Sequence, residues 1–115
     1  MSETIAFVTC RDAREGRRIA ERLVRERLAA CVNLVPGIAS IYTWEGKLER
    51  SRECLLLIKS RGALSRRLAR RVRELHSYSV PEVVTIRIAS GNPDYLRWVR
   101  ASTRAGRPTG AAGRT

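Results

Sequence analysis

Two strand–helix–strand patterns follow one another in this chain, and that repetition limits the fold more than any other feature. Thr4 to Cys10, TIAFVTC, is a short apolar, β-branched run of the kind that forms a strand. Arg11-Asp12 follows at once, and Asp12 is placed to cap a helix through its carboxylate. Within Ala13 to Leu28 the apolar residues Ile19, Ala20, Leu23, Val24 and Leu28 recur at spacings of three and four, while Arg17, Arg18, Glu21, Arg22 and Arg25 take the other face. This is an amphipathic crossover helix. Cys31 to Val35 begins a second strand, which Pro36-Gly37 interrupts and Ile38 to Trp44 resumes. Pro cannot donate to a ladder and Gly relaxes the backbone, so the pair predicts an edge strand with a bulge or bend.

The second unit repeats the pattern. Either Glu45-Gly46 or the polar stretch Glu49 to Arg52 supplies the reversal into a third strand, Glu53 to Lys59. Its near-continuous apolar character, ECLLLIK, predicts a central, buried position. After Ser60-Arg61-Gly62, the residues Leu64, Leu68, Val72 and Leu75 mark one helical stripe, with Arg66, Arg67, Arg70, Arg71 and Arg73 elsewhere around the helix. Pro81 limits helix at Val80, so His76 to Glu82 reads as a loop before a fourth strand, Val83 to Ile88. Asn92-Pro93-Asp94 opens a short helix through Tyr95, Leu96, Trp98 and Val99.

The order predicts an α+β, ferredoxin-like sandwich: βαβ followed by βαβ with right-handed crossovers and a short C-terminal helix. Residues 1–103 are expected to form one domain. Residues 104–115, rich in Arg and Gly and without a large apolar side chain, are expected to be a disordered tail. Two helices cover only one face of a four-stranded sheet. Ile38, Ile41, Tyr42 and Trp44, on a long bent strand, exceed what one small sandwich shields, which predicts self-association.

Lys plus Arg number 23 against 11 acidic residues, for a formal charge of +12. Such an excess ordinarily nominates a polyanion. Only Lys47 and Lys59 are lysines, and the arginines spread from Arg11 to Arg114, as solvated helix faces and a composition bias would place them. Nucleic acid is therefore the disfavoured partner, although the charge leaves it open through the second helix and the tail. The aromatic and basic signature of an RNA-recognition sheet is missing from the two central strands. No apolar run approaches the roughly 18 residues of a membrane span. The opening MSETIAFV lacks the features of a signal peptide, and the three cysteines Cys10, Cys31 and Cys54 form no CxxC pair. The expected compartment is the cytoplasm, and the cysteines read as small buried hydrophobes.

No phosphate-binding glycine loop, HExxH or GxSxG motif is present, so no catalytic site is expected. Imidazole and thiolate together suit copper or zinc. His76, Cys10, Cys31, Glu53, Glu82 and Tyr78 would converge if the loop after the second helix folded toward the sheet. The alternative for His76 is a helix-terminal residue interacting with the last carbonyls.

Several segments together resemble the CutA family of divalent-cation tolerance proteins. They are Leu28-Ala29-Ala30-Cys31-Val32-Asn33 with Pro36-Gly37, Ser40 to Glu49, Glu53 with Leu55 to Lys59, His76 to Glu82, and Gly91-Asn92 with Tyr95 to Val99. The resemblance covers roughly residues 4 to 103. It implies a tight homotrimer in which the long second and third strands pair between subunits, a cytoplasmic binding or signalling scaffold for the response to metal ions, above all copper, and no enzymatic reaction. It also implies likeness to PII signalling proteins. The alternative function is accordingly a small-anion or nucleotide sensor with clefts between subunits, where Arg11, Arg52 or Arg61 would be donors. The metal ligands expected here are His76, Cys10 and Glu82. The cysteine of copper-binding members falls on Val8 and one histidine on Leu75, while Ser77 and Ser79 replace the Pro and Glu of the usual HPYEVPE stretch.

Overall fold

A computed structural model describes residues 2–103. The expected tail, residues 104–115, lies outside the described residues. The elements run β1 (Glu3–Cys10), α1 (Ala13–Arg25), β2 (Cys31–Trp44), β3 (Lys47–Arg61), a single 3-10 turn (Gly62–Leu64) leading into α2 (Ser65–Leu75), β4 (Val84–Arg87) and α3 (Pro93–Ser102). The four strands form one sheet in the order β2-β3-β1-β4, with every neighbouring pair antiparallel. Two interleaved βαβ units generate this order.

Period-two burial explains the core. Ala6, Val8 and Cys10 of β1 and Cys54, Leu56 and Ile58 of β3 are fully buried, and they meet Ile19 and Leu23 of α1 and Leu68 and Val72 of α2. Asp12 starts α1 by accepting from the Glu15 N–H at 2.8 Å. Gly16 lets the helix come close to the sheet: a methyl group there would sit 3.1 Å from both Cys54 Sγ and Leu56 Cδ2. Asn92 caps α3 through the Asp94 N–H, with Pro93 at the first helical position.

Three boundaries differ from the sequence reading. Helix α1 stops at Arg25 rather than Leu28, because Arg27 turns left-handed (φ 64°) and the Leu28 N–H reaches back to the Leu23 carbonyl. Strand β3 begins at Lys47 rather than Glu53, since Glu45-Gly46 makes the reversal with both residues at positive φ (51° and 81°). The polar stretch Glu49 to Arg52 is thus strand, paired from Tyr42↔Glu49 to Ala39↔Arg52. Strand β4 is trimmed to Val84–Arg87. Pro36-Gly37 does mark a register shift between Val35 and Ile38 on the edge strand, with Gly37 at φ 71°.

The sheet face away from α1 and α2 carries Ile5, Phe7, Leu55 and Leu57, which are half-buried, together with exposed Val35, Val84 and Ile86. Beyond the sandwich, β2 and β3 continue as a two-stranded arm on which Ile41, Tyr42, Trp44 and Leu48 are exposed.

Candidate functional site

The loop after α2 folds back onto the C-terminal end of β1. His76 caps α2, its N–H donating to the Val72 carbonyl, and then leaves the helix with extended backbone. Its buried ring does not return to the helix carbonyls. Nε2 lies 2.8 Å from the Thr9 carbonyl oxygen, and Nδ1 lies 3.0 Å from the Tyr78 backbone nitrogen. A carbonyl only accepts and a backbone N–H only donates, so Nε2 carries the proton and Nδ1 is the acceptor of a neutral ring.

Glu15 reaches the same place from the first turn of α1. Its carboxylate is almost fully buried and accepts from the Arg11 N–H (2.9 Å) and the Ser77 N–H (2.8 Å). Burial works to raise its pKa, but the bonds from Ser77 and Arg11 outweigh that and hold it below the usual carboxylate range. The Ser77 backbone N–H, which a proline there would lack, is thus one of the bonds that fix Glu15. Glu15 escaped the sequence reading, although it stands four residues before Ile19 and eight before Leu23, on the buried stripe.

The Cys10 thiol, buried on the helix-facing side of β1, is pushed up to about 12 by burial, with the Glu15 charge adding to the effect. A thiol held in this state is a poor nucleophile. Tyr78 lies with its ring centroid 4.7 Å from that of His76 and donates its hydroxyl to Glu53 Oε2 at 2.8 Å. Burial, reinforced by the Glu53 carboxylate, raises the phenol above its ordinary value.

The candidate ligands are thus partly assembled. Ligand atoms of Cys10, Glu15 and His76 all lie within 4.8 Å of one another. Glu82 is exposed and stands outside this group, its place taken by Glu15. Glu53 and Tyr78 border the cluster, whereas Cys31 pairs with Lys59, five residues along β3 from Cys54. Val8 is fully buried and Leu75 packs against the core, so neither position offers a donor. Arg11 and Arg52 flank one end of the sheet, while Arg61 lies nine residues along β3 from Arg52, roughly 30 Å away. Arg61 donates to the Thr103 carbonyl. The three arginines form no common site within one chain. Among the described residues, no helix is long and apolar enough to cross a membrane.

The family model for the CutA1 divalent ion tolerance protein matches residues 4–102. The divalent-cation tolerance protein CutA of Thermus thermophilus is 46% identical over 101 residues, 88% of this chain and 98% of that protein. Protein CutA of Mus musculus is 44% identical over 111 residues, 96% of this chain, which spans 63% of the mouse protein's length. The crystal structure of CutA1 from Oryza sativa superposes with a TM-score of 0.88 at 43% identity, covering 92% of this chain and 97% of that one. A match over residues 4–102 in sequence, with a superposition of the fold over 92% of the chain, leads to one conclusion: this chain belongs to the CutA1 divalent ion tolerance family.

Proposed function

We propose that the chain serves divalent-cation tolerance as a homotrimeric, non-enzymatic scaffold that binds copper or another divalent cation, in the cytoplasm. The observation that carries the metal part is the convergence of Cys10, Glu15 and His76 at the end of β1. Imidazole, thiolate and carboxylate together suit copper or zinc. In this chain Cys10 and His76 would hold the ion, with Glu15 as the nearby carboxylate. Glu82 is not needed for it. When bound, the ion supplies a fixed positive charge beside the buried Glu15.

The residues set the cost of occupancy. His76 Nδ1 gives up the Tyr78 N–H, and Cys10 gives up a proton that burial holds tightly. Both costs favour modest, reversible affinity, as suits a protein of tolerance rather than a structural metal centre. The trimer draws support from the half-open sheet face and from the arm with Ile41, Tyr42, Trp44 and Leu48, more apolar surface than a lone subunit of this size normally shows to water. A reducing compartment suits Cys10 and Cys54, which are directly opposed across β1 and β3 and both buried as thiols.

Calorimetric titration of the purified protein with copper tests this reading. Saturable binding at micromolar metal is expected, weakened at least about tenfold by His76→Ala. An absence of saturable binding would remove the metal from the proposal.

A further inference from the structure

The positive charge of the chain is concentrated on one side of the fold. Helices α1 and α2 together carry ten arginines against three glutamates, and one of the three, Glu15, is buried. The arm from Glu45 to Glu53, by contrast, carries three basic and three acidic residues. A composition bias alone would charge both regions alike. The two helices lie side by side on one face of the sheet, joined by Arg71 on Glu26 (2.8 Å) and by Arg18, which donates to the Leu75 carbonyl (3.0 Å). Opposite their buried stripes, Arg14, Arg17 and Arg25 of α1 and Arg66, Arg70 and Arg73 of α2 are all exposed. Among the described residues, none of these six takes part in an ion pair.

The nearby acids do little to balance them. Arg71 engages Glu74, and Arg71 and Arg22 share Glu26 at the end of α1, so Glu21 is the one exposed carboxylate of the two helices outside an ion pair. Like charges three and four residues apart on a helix repel. Arg66, Arg70 and Arg73 stand at that spacing with no acid between them. A polyanion whose charges repeat as closely relieves this repulsion. The chemistry of the layer selects which one. Neither helix carries Phe, Tyr or Trp, so the unstacked bases of a single strand find no platform. Val24 is their one exposed large apolar side chain, too little to enter a lipid surface. Duplex RNA is read through its 2′-hydroxyls as well as its phosphates, and Ser65 is the one hydroxyl or amide side chain the two helices offer.

We propose that the layer formed by α1 and α2 binds the backbone of double-stranded DNA without preference for sequence. The planar fork of arginine matches phosphate oxygens. Arg66 to Arg73 spans about 10 Å along α2 at 1.5 Å per residue, a length over which one DNA strand presents about three phosphates. Packed helix axes lie roughly 10 Å apart, so the arginine rows of α1 and α2 reach the two strands that flank a groove. Both helices lie flat on the sheet, so neither enters the groove and the base edges go unread. The layer faces away from the half-open side of the sheet, and its binding does not depend on a metal. The sequence by itself disfavours nucleic acid because it shows the number of arginines and not their common side.

The test is fluorescence anisotropy of the full chain with a labelled DNA duplex of about 20 base pairs, in EDTA, at salt from about 50 to about 200 mM. Chelation keeps the outcome separate from the copper reading. Affinity should fall at least about tenfold across that range, with a slope of about −3 to −5 in log K against log salt. Arg66→Gln, Arg70→Gln and Arg73→Gln combined should weaken binding at least about tenfold and flatten the slope by about 2 to 3. The three positions are exposed and Gln is a good helix former, so the melting temperature should not fall. A full-length control with the same charge change, Arg104→Gln, Arg107→Gln and Arg114→Gln combined, should weaken binding less than about threefold. The duplex should bind more tightly than its single strand, than duplex RNA of the same sequence and than phosphatidylserine vesicles at equal phosphate concentration. Equal losses in the helix and tail variants, tighter binding of any of the three competitors, or an affinity that ignores salt would overturn the proposal.

Discussion

Strands β2 and β3 behave differently in their two halves. Near β1 their ladder is sealed under helices, and Leu56 and Ile58 are fully buried. Beyond the bulge at Pro36-Gly37 the ladder continues without a break from Ile38↔Glu53 to Trp44↔Lys47, yet Ile41 is 69% and Leu48 58% exposed. Strand pairing runs through both regions, whereas only the first has a fully buried face, the one turned to the helices. An isolated two-stranded ribbon is marginal in water, so the arm keeps its shape by attachment to the sandwich and offers its apolar side chains to other copies. The first region is stabilised within the chain, and the second is suited to assembly.

The largest expected effect breaks the sealed half. Leu56→Ala removes a fully buried side chain between β1 and α1 and should cost about 2 to 5 kcal/mol in chemical denaturation. Glu15→Ala should come next, at about 3 kcal/mol, because it removes a buried carboxylate and leaves the part-buried N–H groups of Arg11 and Ser77 without their acceptor. The His76 loop should then lose amide-exchange protection before the rest of the sandwich does. In the arm, Gly46→Val forces a β-branched residue to φ 81° and should cost about 1 kcal/mol or somewhat more. Its effect should appear as fraying of the hairpin, with the α1 and α2 amides unchanged.

The smallest effect belongs to the helix surface. Arg71 bonds to Glu26 (2.8 and 2.9 Å) and lowers its pKa against the opposing effect of burial, with further help from Arg22. A carboxylate depressed on folding contributes stability that is present above its unfolded value of 4.5 and is lost as pH falls through the lower folded value. The stability gap between wild type and Glu26→Gln should thus be constant at neutral pH and close in acid. A gap that widened in acid would contradict the sign.

The sealed half was readable because burial imprints a pattern. ECLLLIK and TIAFVTC declared central strands, the stripe Leu64, Leu68, Val72 and Leu75 declared a helix, and Asn92-Pro93-Asp94 declared the start of α3. The start of β3 was not readable, because Lys47 to Arg52 is exposed and its largely polar residues carry no period toward a core. At the site, Cys10 and His76 were legible as donor types. Glu15 was hidden by its position in a capping turn, where an acidic residue is ordinary, and its partner Ser77 N–H belongs to a residue 62 positions away.

The contrast between a self-sufficient sandwich and an arm made for other copies is tested most directly by sedimentation velocity at micromolar concentration, comparing wild type with Trp44→Glu. The wild type should sediment as a species of about three times the 13.0 kDa chain mass, and Trp44→Glu should shift it toward smaller species while the far-UV spectrum is kept. A wild-type protein that sediments as a folded 13.0 kDa monomer would contradict it.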